Sequence, residues 1–433
     1  MKSFEGGVHP FEKKQTSSQK IEKFPLPKNI VVHLAQQPGS ASKPLVKAGD
    51  YVKTGQKIAE AAGFLATDSH SPVSGKILSI EKMPHPCGLN LEAVSIESDG
   101  KDEPADFKPS DPGELSSSEI IKIVKDAGIA GLGGAAFPTH IKLSPPAGKN
   151  IDTLIINGCE CEPYLTCDHR LMLEEPAKII SGMNLILKAL GVKNGIIALE
   201  DNKKDAAEKF EKLLKSDGRN ISVAVLKTKY PQGAEKQLIK AVLNREVPSG
   251  KLPMDAGCVV QNVQTAKAVH DAVIEGRPLY ERVITVCGHF KKTGNFSVRI
   301  GTLISDIVDF CGGFDGDVKK VLMGGPMMGI PLYTLDVSIL KGNNGVLALT
   351  ENETVYAEPS NCIRCGKCVD VCPVGLVPTM ISRLTERERY EDLDNYSPLD
   401  CMECGACAYE CPAKIHLVQN IKVAKIIVKR DNK

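Results

Sequence analysis

Apolar residues recur with two different spacings along the middle of this chain. Between about residues 118 and 275, short continuous apolar runs alternate with longer stretches in which apolar residues return every three or four positions. Continuous runs of this length are typical of buried strands, and the longer spacing is typical of amphipathic helices. Their alternation predicts an α/β domain. The predicted strands lie at 151–156, 195–199, 221–226 and 258–260, and the predicted helices at 176–190, 203–215 and 234–243.

A different pattern occupies residues 30 to 100. Val46, Val52 and Ile58 alternate with the turn residues Gly49 and Gly55, which predicts short strands joined by tight turns. The pattern resembles the barrel-sandwich of biotinyl and lipoyl carrier domains, which carry their group on a hairpin lysine. No lysine lies between residues 57 and 76, so we expect a scaffold without the carrier function.

The rest of the chain falls into three further segments. Residues 101–117 are rich in Asp, Pro and Ser and predict a linker. Short β-like runs return between about 280 and 350, separated by glycine-rich turns at 312–313 and 324–326. Residues 378–393 have helical spacing. The length of 433 residues fits about three domains.

Composition and charge give no support to several classes of protein. The net charge of +1 gives no electrostatic argument for binding nucleic acid or an anionic membrane. The polar residues after Met1 lead us to expect no secretory leader, and the 15 cysteines in this setting predict a reducing, cytosolic environment. No apolar run reaches the roughly 18–20 residues that span a bilayer. Any contact with a membrane is therefore expected through a partner.

One cysteine spacing occurs twice near the C-terminal end. Three cysteines at x2 intervals are followed, after x3, by a Cys-Pro pair, first from residue 362 and again from residue 401. This spacing is typical of paired [4Fe–4S] clusters, in which the fourth cysteine of each run binds the other cluster. The predicted ligand sets are Cys362, Cys365, Cys368 and Cys411 for one cluster and Cys401, Cys404, Cys407 and Cys372 for the second.

Structural zinc is the alternative, because cysteines two residues apart also bind zinc tetrahedrally. Zinc sites rarely use three such cysteines and a fourth next to proline, so we expect iron–sulfur clusters and single-electron transfer. The helical spacing at 378–393 lies between the two cysteine runs. It favours a helical two-cluster domain over a bacterial ferredoxin, which would use short strands there.

A glycine-rich loop that ends in a lysine covers residues 131–142. Glycines let backbone N–H groups approach a phosphate closely, and the lysine supplies positive charge. The loop fits neither the P-loop pattern nor G-x-G-x-x-G. On its own it is as compatible with a plain tight turn as with a phosphate site.

Four segments in the same order resemble the NADH- and FMN-binding flavoprotein subunit of respiratory complex I. They are residues 133–142, 157–163, 230–235 and 262–265. Three positions depart from that family: Ala136 stands where glycine is usual, Cys159 replaces an aspartate and Ala234 replaces a glutamate. The match of four ordered motifs is far more specific than the glycine loop alone.

This resemblance implies a role for each matching residue. The phosphate of noncovalent FMN would be held by Gly131, Gly133, Gly134 and Lys142. The flavin would be lined by Asn157, Tyr230, Glu235, Asn262 and Thr265, and Phe137 and Glu162 would face the nicotinamide nucleotide; Glu160 and Gly233 are further cofactor-binding candidates. No catalytic side chain is expected, because hydride transfer between stacked rings needs positioning rather than acid–base chemistry.

Over nearly its whole length the chain resembles the C subunits of Rnf complexes, which are ion-translocating ferredoxin:NAD oxidoreductases of membranes. The resemblance includes the opening Gly6-Gly7-Val8-His9-Pro10 and the β-rich segment at 301–304. It implies a multidomain α/β protein. The implied parts are an N-terminal segment and barrel-sandwich hybrid (1–100), a linker (101–117), an FMN/NADH-binding α/β domain (118–278), a β-grasp soluble-ligand-binding domain (279–350) and a helical two-[4Fe–4S] ferredoxin-type domain (351–433).

A member of this family would be a peripheral subunit on the cytoplasmic side of the cell membrane. It would exchange a hydride between NAD(H) and FMN and pass single electrons through two clusters. The ferredoxin and NAD couples would thereby be linked to ion pumping. Its partners would be the membrane subunits and a ferredoxin-like iron–sulfur subunit, with no nucleic acid and with membrane contact only through those partners.

Three other functions stay open at this level. The cobalamin reductase of metabolosomes shares the flavin domain and clusters, but its barrel-sandwich follows the clusters. The flavoprotein subunit of a soluble NAD-dependent hydrogenase or formate dehydrogenase usually lacks the leading barrel-sandwich. A scaffold that only bridges subunits would carry clusters without flavin.

Two features have plain structural alternatives. Cys159, Cys161 and Cys167 lie within or next to a flavin segment, where packing or a polarised thiol is favoured over a third metal site. The basic tail at 414–433 has an apolar side that includes Ile421 and Ile426. It predicts either a helix that closes the last domain or a basic arm that docks on the complex or its membrane surface.

Overall fold

A computed structural model describes residues 2–37, 39–215, 220–354 and 358–431. The N-terminal segment runs in extended form over other parts of the molecule. It contains β1 (Ile21–Lys23), which pairs in parallel with residues 295–297, more than 270 positions farther along the chain. This segment therefore belongs structurally to the later domains as much as to the barrel-sandwich that follows it.

The barrel-sandwich forms two small antiparallel sheets. Their strands are β2 (Asn29–His33), β3 (Lys43–Pro44), β4 (Tyr51–Val52), β5 (Lys57–Glu60), β6 (Ser69–His70), β7 (Gly75–Pro84) and β8 (Asn90–Ser98). The order is β2-β8-β7-β4 in one sheet and β3-β5-β6 in the other. Ile30, Val52, Ile58, Ile77 and Ile96 are fully buried between them, as the alternating apolar positions predicted.

Residues 101–117 lie bound along neighbouring domains. The carboxylate of Asp102 accepts hydrogen bonds from Thr54 at 2.8 Å and from Arg299 at 2.6 Å. Ser110 donates its N–H to the carbonyl of Val273 at 2.9 Å. The predicted linker is therefore an anchored connection.

A four-stranded parallel sheet with helices on both faces follows. Its elements are α1 (Ser117–Asp126), α2 (Thr139–Lys142), β9 (Thr153–Asn157), α3 (Cys167–Glu174), α4 (Pro176–Leu190), β10 (Asn194–Glu200), α5 (Lys204–Leu214), β11 (Ile221–Leu226), α6 (Glu235–Leu243), β12 (Cys258–Asn262) and α7 (Val263–Ile274). The strand order is β11-β10-β9-β12.

Successive residues of these strands are buried on opposite faces of the sheet. Leu154 and Ile156 of β9 pack with α1, α4 and α7, whereas Ile155 packs with α6 on the other face. Since successive side chains of a strand point to opposite faces, a run of apolar residues is needed when both faces are covered. This explains why the strands appear in the sequence as continuous apolar runs.

The β-grasp segment forms a six-stranded mixed sheet. Besides β1, its strands are β13 (Glu281–Gly288), β14 (Gly294–Arg299), β15 (Val318–Met323), β16 (Ile330–Pro331) and β17 (Gly345–Thr350), and helix α8 (Ile304–Phe310) follows β14 in the chain. The strand order in the sheet is β1-β14-β13-β17-β15-β16. Ile304 and Ile307 of α8 pack on Ile284 and Phe296. The N-terminal β1 thus supplies one of the two edge strands of this sheet.

The last domain is helical, as predicted, and repeats one unit twice. Its helices are α9 (Lys367–Asp370), α10 (Pro378–Glu386), α11 (Ala406–Glu410) and α12 (Leu417–Asp431). Positive φ angles recur at matching places in the two cysteine loops, at Arg364 and Gly366 and again at Glu403 and Gly405. Helix α12 buries Ile421, Ala424 and Val428, so the tail closes the domain; residues 432 and 433 lie outside the described part.

Candidate flavin site and cysteine groups

The candidate flavin residues lie at one edge of the parallel sheet. Strand β9 ends at Asn157 and β12 ends at Asn262, and these two residues are register partners on neighbouring strands. Tyr230 follows shortly after the end of β11. Because the carboxyl ends of parallel strands meet at one edge, this is where ligands of open α/β sheets bind. Segments far apart in the sequence are therefore brought together.

The two asparagines hold the backbone around this edge. Asn157 donates from Nδ2 to the carbonyl of Gly233 at 2.8 Å and accepts the N–H two residues ahead at 3.1 Å. Asn262 caps α7 by accepting the N–H of Gln264 at 2.8 Å and donates to Asp168 at 2.6 Å. Each amide is engaged at both ends, so both residues position the loops that form the site.

Asp168 was not among the predicted site residues. Its buried carboxylate accepts from Asn262 and, at 2.9 Å, from Gln264. Burial and the neighbouring Glu160 carboxylate raise its pKa to about 6. Glu160 accepts the N–H of Asp168 at 2.7 Å and that of His169 at 3.3 Å, at the N-terminus of α3, where negative charge is favourable. The one sequence signal was the position of Asp168 just after a flavin segment.

The glycine loop packs against the start of α7. Leu132 donates its N–H to the buried hydroxyl of Thr265 at 2.9 Å. A Cβ atom on Gly133 would lie 3.2 Å from the Cβ of Asn262, which is tighter than an ordinary contact. The close approach of these two backbones favours glycine at position 133.

The glycine loop is closed by a backbone hydrogen bond, and several of its N–H groups stay available to a ligand. The N–H of Gly131 bonds to the carbonyl of Phe137 at 2.8 Å, and the Phe137 side chain is partly buried. Gly133, Gly134 and Ala135 are exposed, and their N–H groups have no partner among the described residues. Free N–H groups on a glycine loop are the donors that bind phosphate.

Lys142, at the end of α2, lies beside this edge of the sheet. Its Nζ forms an ion pair with Glu235 and donates to the carbonyl of Val260 at 3.2 Å. The side chain of Lys142 is 20% exposed and that of Glu235 is 40% exposed. A phosphate bound here would compete with Glu235 for the ammonium group.

The donor set fits FMN. The loop amides and Lys142 suit a phosphate, and two buried glutamines, Gln232 and Gln261, have both ends of their side-chain amides without a partner among the described residues. Buried polar groups normally find partners. Gln232 and Gln261 adjoin Gly233 and Asn262 in the sequence, so their unpartnered amides are candidates for contacts with the polar edge of a flavin.

Glu162 connects this site to the β-grasp domain. Its carboxylate accepts the N–H of Met327 at 3.0 Å and that of Met328 at 2.8 Å. A Cβ on Gly325 would lie 2.3 Å from the carboxylate, so the glycine allows the loop to approach. Burial raises the pKa of Glu162 to about 7. The loop at 324–329 was predicted only as a turn, and its contact with the site is a new finding.

The eight cysteines of the two runs fall into two groups. Burial raises the pKa of the Cys368 thiol, and the nearby thiols of Cys411, Cys362 and Cys365 act in the same direction. Cys411 thus lies with the first three cysteines of the other run.

The second group is formed in the same way. Burial, followed by the thiols of Cys404, Cys401 and Cys372, raises the pKa of Cys407 to about 12. Backbone N–H groups approach two of the sulfurs, Cys372 at 3.3 Å and Cys401 at 3.4 Å. Two groups of four thiols, with N–H donors on sulfur, fit iron–sulfur clusters.

The second cysteine group lies against the flavin domain. The hydroxyl of Tyr230 donates to the carbonyl of Cys404 at 2.7 Å. Gln237 donates to the carbonyl of Pro373, next to Cys372, at 2.9 Å. Cys365 of the first group is exposed instead. The Cys404 group is therefore near the candidate flavin site, and the Cys365 group reaches the surface.

The three remaining cysteines of the flavin segments have separate partners. Cys161 accepts the N–H of Gly233 at 3.3 Å, and the Cys167 thiol donates to the carbonyl of Asn344 at 3.2 Å. Cys159 is fully buried in the apolar layer under α6. The side chains of Cys159 and Cys161 both lie close to Gly233, and the Cys167 thiol lies with the carboxylates of Glu160 and Asp168. Among the described residues the three cysteines do not form one metal-binding group with each other.

Known families match four successive parts of the chain. They are the RnfC barrel-sandwich hybrid domain at residues 2–101, the Nuo51 FMN-binding domain at 124–271, the SLBB domain at 283–331 and the 4Fe-4S dicluster domain at 354–412. These families agree with the architecture described above.

Curated relatives match the chain almost from end to end. The C subunit of the proton-translocating ferredoxin:NAD(+) oxidoreductase complex of Clostridium ljungdahlii is 46% identical over 98% of this chain and 94% of its own length. The Na(+)-translocating counterpart of Acetobacterium woodii is 45% identical over 98% and 96%. The C subunit of the ion-translocating oxidoreductase complex of Rhodobacter capsulatus is 43% identical over 98% and 82%.

Among solved structures, a chain of an NAD+-reducing [NiFe]-hydrogenase in the H2-reduced state matches with a TM-score of 0.51. The identity is 20%, and the match covers 74% of this chain and 65% of that one. At this level of identity the likeness concerns the fold alone.

The fold and the site define an electron-transfer subunit that joins an FMN-binding domain to a 4Fe–4S dicluster domain. The sequence comparisons place it more narrowly. The chain belongs to the family of C subunits of ion-translocating Rnf oxidoreductase complexes. No helix in the described part of the chain combines the length and the apolar character that a membrane span requires.

Proposed function

We propose that this chain is the NAD(H)-reacting subunit of a ferredoxin:NAD oxidoreductase complex, with one FMN and two [4Fe–4S] clusters. The observation that carries the proposal is the contact of Tyr230, beside the candidate flavin site, with the backbone of the cluster ligand Cys404. A flavin, when bound, exchanges a hydride with a nicotinamide and single electrons with clusters. The protein must therefore hold a flavin site and a cluster next to each other.

The flavin site would be formed by the residues at the carboxyl edge of the sheet. The free N–H groups of Gly133 and Gly134 and the ammonium of Lys142 would bind the phosphate, with Gly131 closing the loop. Thr265 holds that loop through Leu132. Asn157 and Asn262 keep the surrounding backbone in place.

The nicotinamide side would be formed by Phe137 and Glu162. Glu162 is held in one orientation because each carboxylate oxygen accepts a backbone N–H from the loop at 324–329. The same loop reaches the dicluster domain, since Met327 packs in one apolar cluster with Cys404 and Tyr230. The β-grasp domain would thus shape the nucleotide site from outside the flavin domain.

The two cysteine groups would give a path from the site to the surface. The nearer cluster would be bound by Cys401, Cys404, Cys407 and Cys372, and the outer one by Cys362, Cys365, Cys368 and Cys411. Because Cys365 is exposed, the outer cluster could exchange electrons with a ferredoxin-like subunit. The chain would attach to the cytoplasmic side of the membrane through its partner subunits.

A direct test uses anaerobic protein that contains FMN and iron. NADH should bleach the visible absorption of the clusters, and removal of FMN should abolish this reaction while the iron content stays unchanged. A bridging scaffold without redox function would show neither FMN nor bleaching. In a cell that makes the other subunits, the chain should sediment with membranes. Made alone, it should stay in the supernatant.

A further inference from the structure

The opening motif Gly6-Gly7-Val8-His9-Pro10 has no role in the function proposed above. It lies in a segment, residues 2–16, that we call the N-terminal strap. The strap runs alongside the flavin domain: Lys2 bridges to Leu226 at the end of β11. Farther on, Val8 exchanges two backbone hydrogen bonds with Tyr230, at 2.8 and 2.9 Å.

The strap also contacts the dicluster domain at the same place. Gly7 donates its N–H to the carbonyl of Val371 at 2.8 Å, one residue before the cluster ligand Cys372. A Cβ on Gly6 would lie 2.8 Å from the carbonyl oxygen of Cys372, and one on Gly7 would lie 2.6 Å from that of Tyr230. The two glycines are therefore wedged between the flavin domain on one side and a cluster ligand on the other.

Both glycines also have a backbone conformation that disfavours other residues. The φ angle is +72° at Gly6 and +78° at Gly7, in the left-handed region where glycine has no steric penalty. Confinement and conformation both explain why two successive glycines open this motif.

Val8 completes an apolar contact between the two candidate cofactor sites. Val8, Tyr230, Cys404 and Ala406 are all buried and pack as one cluster. Since the Tyr230 hydroxyl also bonds to Cys404, this cluster joins the flavin-site loop to the backbone of a cluster ligand. Val8 is the strap's contribution to it.

The strap is anchored again at the nucleotide side. The ammonium of the partly buried Lys14 donates to the carbonyls of Glu160, Glu162 and Leu165 at 2.7, 2.8 and 2.6 Å. Three carbonyl acceptors satisfy the three N–H donors of a lysine. The loop that carries Glu162 is therefore held by the same segment that touches Tyr230 and Cys372.

From these contacts we infer that the N-terminal strap is a positioning element, which sets the separation of the flavin site and the Cys404 cluster. It touches the nucleotide loop at Lys14, the flavin loop at Val8 and the cluster domain at Gly6 and Gly7. The expected effect of the strap on electron-transfer rates rests on the proposed function, but its expected effect on the mobility of the two domains does not. A displaced strap should loosen both domains at their contact.

The test variant is Gly6→Ala, and the chain offers a matched control. Gly100 has the same φ angle of +72°, but a Cβ there would meet nothing within 4 Å. Gly100→Ala therefore introduces the same backbone strain without the contact with Cys372. Differences between the two variants report the contact of the strap, not the strain of the backbone.

The first readout is amide hydrogen exchange of the holoprotein, which is independent of activity. Gly6→Ala should increase exchange at residues 228–233 and 369–374, whereas Gly100→Ala should leave both segments as in the wild type. Unchanged exchange in both segments would overturn the inference. If Gly6→Ala yields no folded protein, Val8→Ala carries the same test, because it removes buried methyl groups and keeps the backbone.

The second readout is stopped-flow mixing with NADH. Each NADH delivers two electrons and becomes NAD+, and each cluster accepts one electron. In Gly6→Ala the reduction of FMN should stay within about twofold, while reduction of the clusters slows about tenfold or more, since small misplacements cost large factors in rate. If the reduction of FMN and the reduction of the clusters slowed equally, the strap would have a general structural role and would not set the separation of the two sites. If wild-type clusters are not reduced at all, the proposed function fails, and the exchange experiment still decides the role of the strap.

Discussion

Lys142 and Glu235 form an ion pair at the edge of the candidate flavin site, although each was expected to contact FMN separately. The pair, together with the carbonyl of Val260, holds the lysine at this edge of the sheet before any phosphate arrives. It also means that Glu235 neutralises part of the charge that a phosphate needs. The two residues should therefore have opposite effects on FMN binding.

Lys142→Ala should weaken the binding of FMN. A hydrogen bond to a charged group contributes about 1.5–3 kcal/mol, so the dissociation constant should rise about tenfold or more. Glu235→Gln keeps the size of the side chain and removes its charge, and FMN should then bind as tightly as in the wild type or more tightly. Both constants can be measured by the quenching of flavin fluorescence on titration. Equal weakening in the two variants would place Glu235 in direct contact with the flavin.

The crossed grouping of cysteines leads to a test with paired substitutions. Cys372→Ser combined with Cys401→Ser should damage a single cluster, so that about four of about eight iron atoms remain. Cys372→Ser combined with Cys362→Ser should damage both clusters. Iron and acid-labile sulfide in anaerobically prepared protein provide the measurement. The opposite pattern of iron loss would mean that each run binds its own cluster.

Local signals made much of the fold predictable. The helix predicted at 176–190 has the observed bounds of α4, because Pro176 stands at its first turn and Gly191 ends it in the left-handed conformation. The strands of the flavin domain were recognisable since residues such as Ile155 and Ile156 bury on opposite faces. The dicluster domain was predictable for the same reason, since three of the four cysteines proposed for each cluster lie close together in the sequence.

Contacts between distant segments could not be predicted in this way. Lys14 reaches three carbonyls about 150 positions away, and Glu162 reaches Met327 and Met328 about 165 positions away. No spacing or propensity near Lys14 marks it as a cation that bonds to distant carbonyls. Such pairs depend on how whole domains pack. The candidate flavin residues were identified by resemblance, whereas the contacts that hold them required the structure.

The raised pKa of Glu162 predicts a pH-dependent effect of Glu162→Gln. Its folded-state pKa of about 7 lies above the ordinary 4.5, so the folded protein favours the protonated form. The stability contributed by this group is therefore lost as pH rises from about 4.5 to about 7. Glutamine does not ionise. Its amide leaves one N–H of Met327 or Met328 unpaired, and the loss of stability from that unpaired N–H does not change with pH. The drop in melting temperature caused by Glu162→Gln should be larger at pH 5 than at pH 8. A drop that is equal at both pH values would contradict the raised pKa.

Glu162→Gln should also separate the two nucleotides. The substituted side chain can accept only one of the two backbone N–H groups, so the loop at 324–329 should loosen on the nicotinamide side. FMN, held by the glycine loop and Lys142, should stay bound. We expect a higher KM for NADH with ferricyanide as acceptor, and FMN content close to that of the wild type. Parallel loss of FMN would move Glu162 into the flavin contacts.

Removal of the C-terminal helix should cost iron as well as any docking function. Lys425 of α12 donates to the carbonyl of the candidate cluster ligand Cys401 at 2.9 Å and pairs with Glu403, and Ile421 and Val428 fill the core under α10. Deleting residues 417–433 should therefore release the iron of at least the Cys401 group, because its loop loses support. Lys429→Ala, at an exposed position of the same helix, is the control and should keep all the iron. If the deletion keeps its full iron content and the chain no longer sediments with membranes, the tail is a docking arm; high salt should then weaken attachment of the intact chain, because screening shortens electrostatic reach to about 10 Å at 0.1 M.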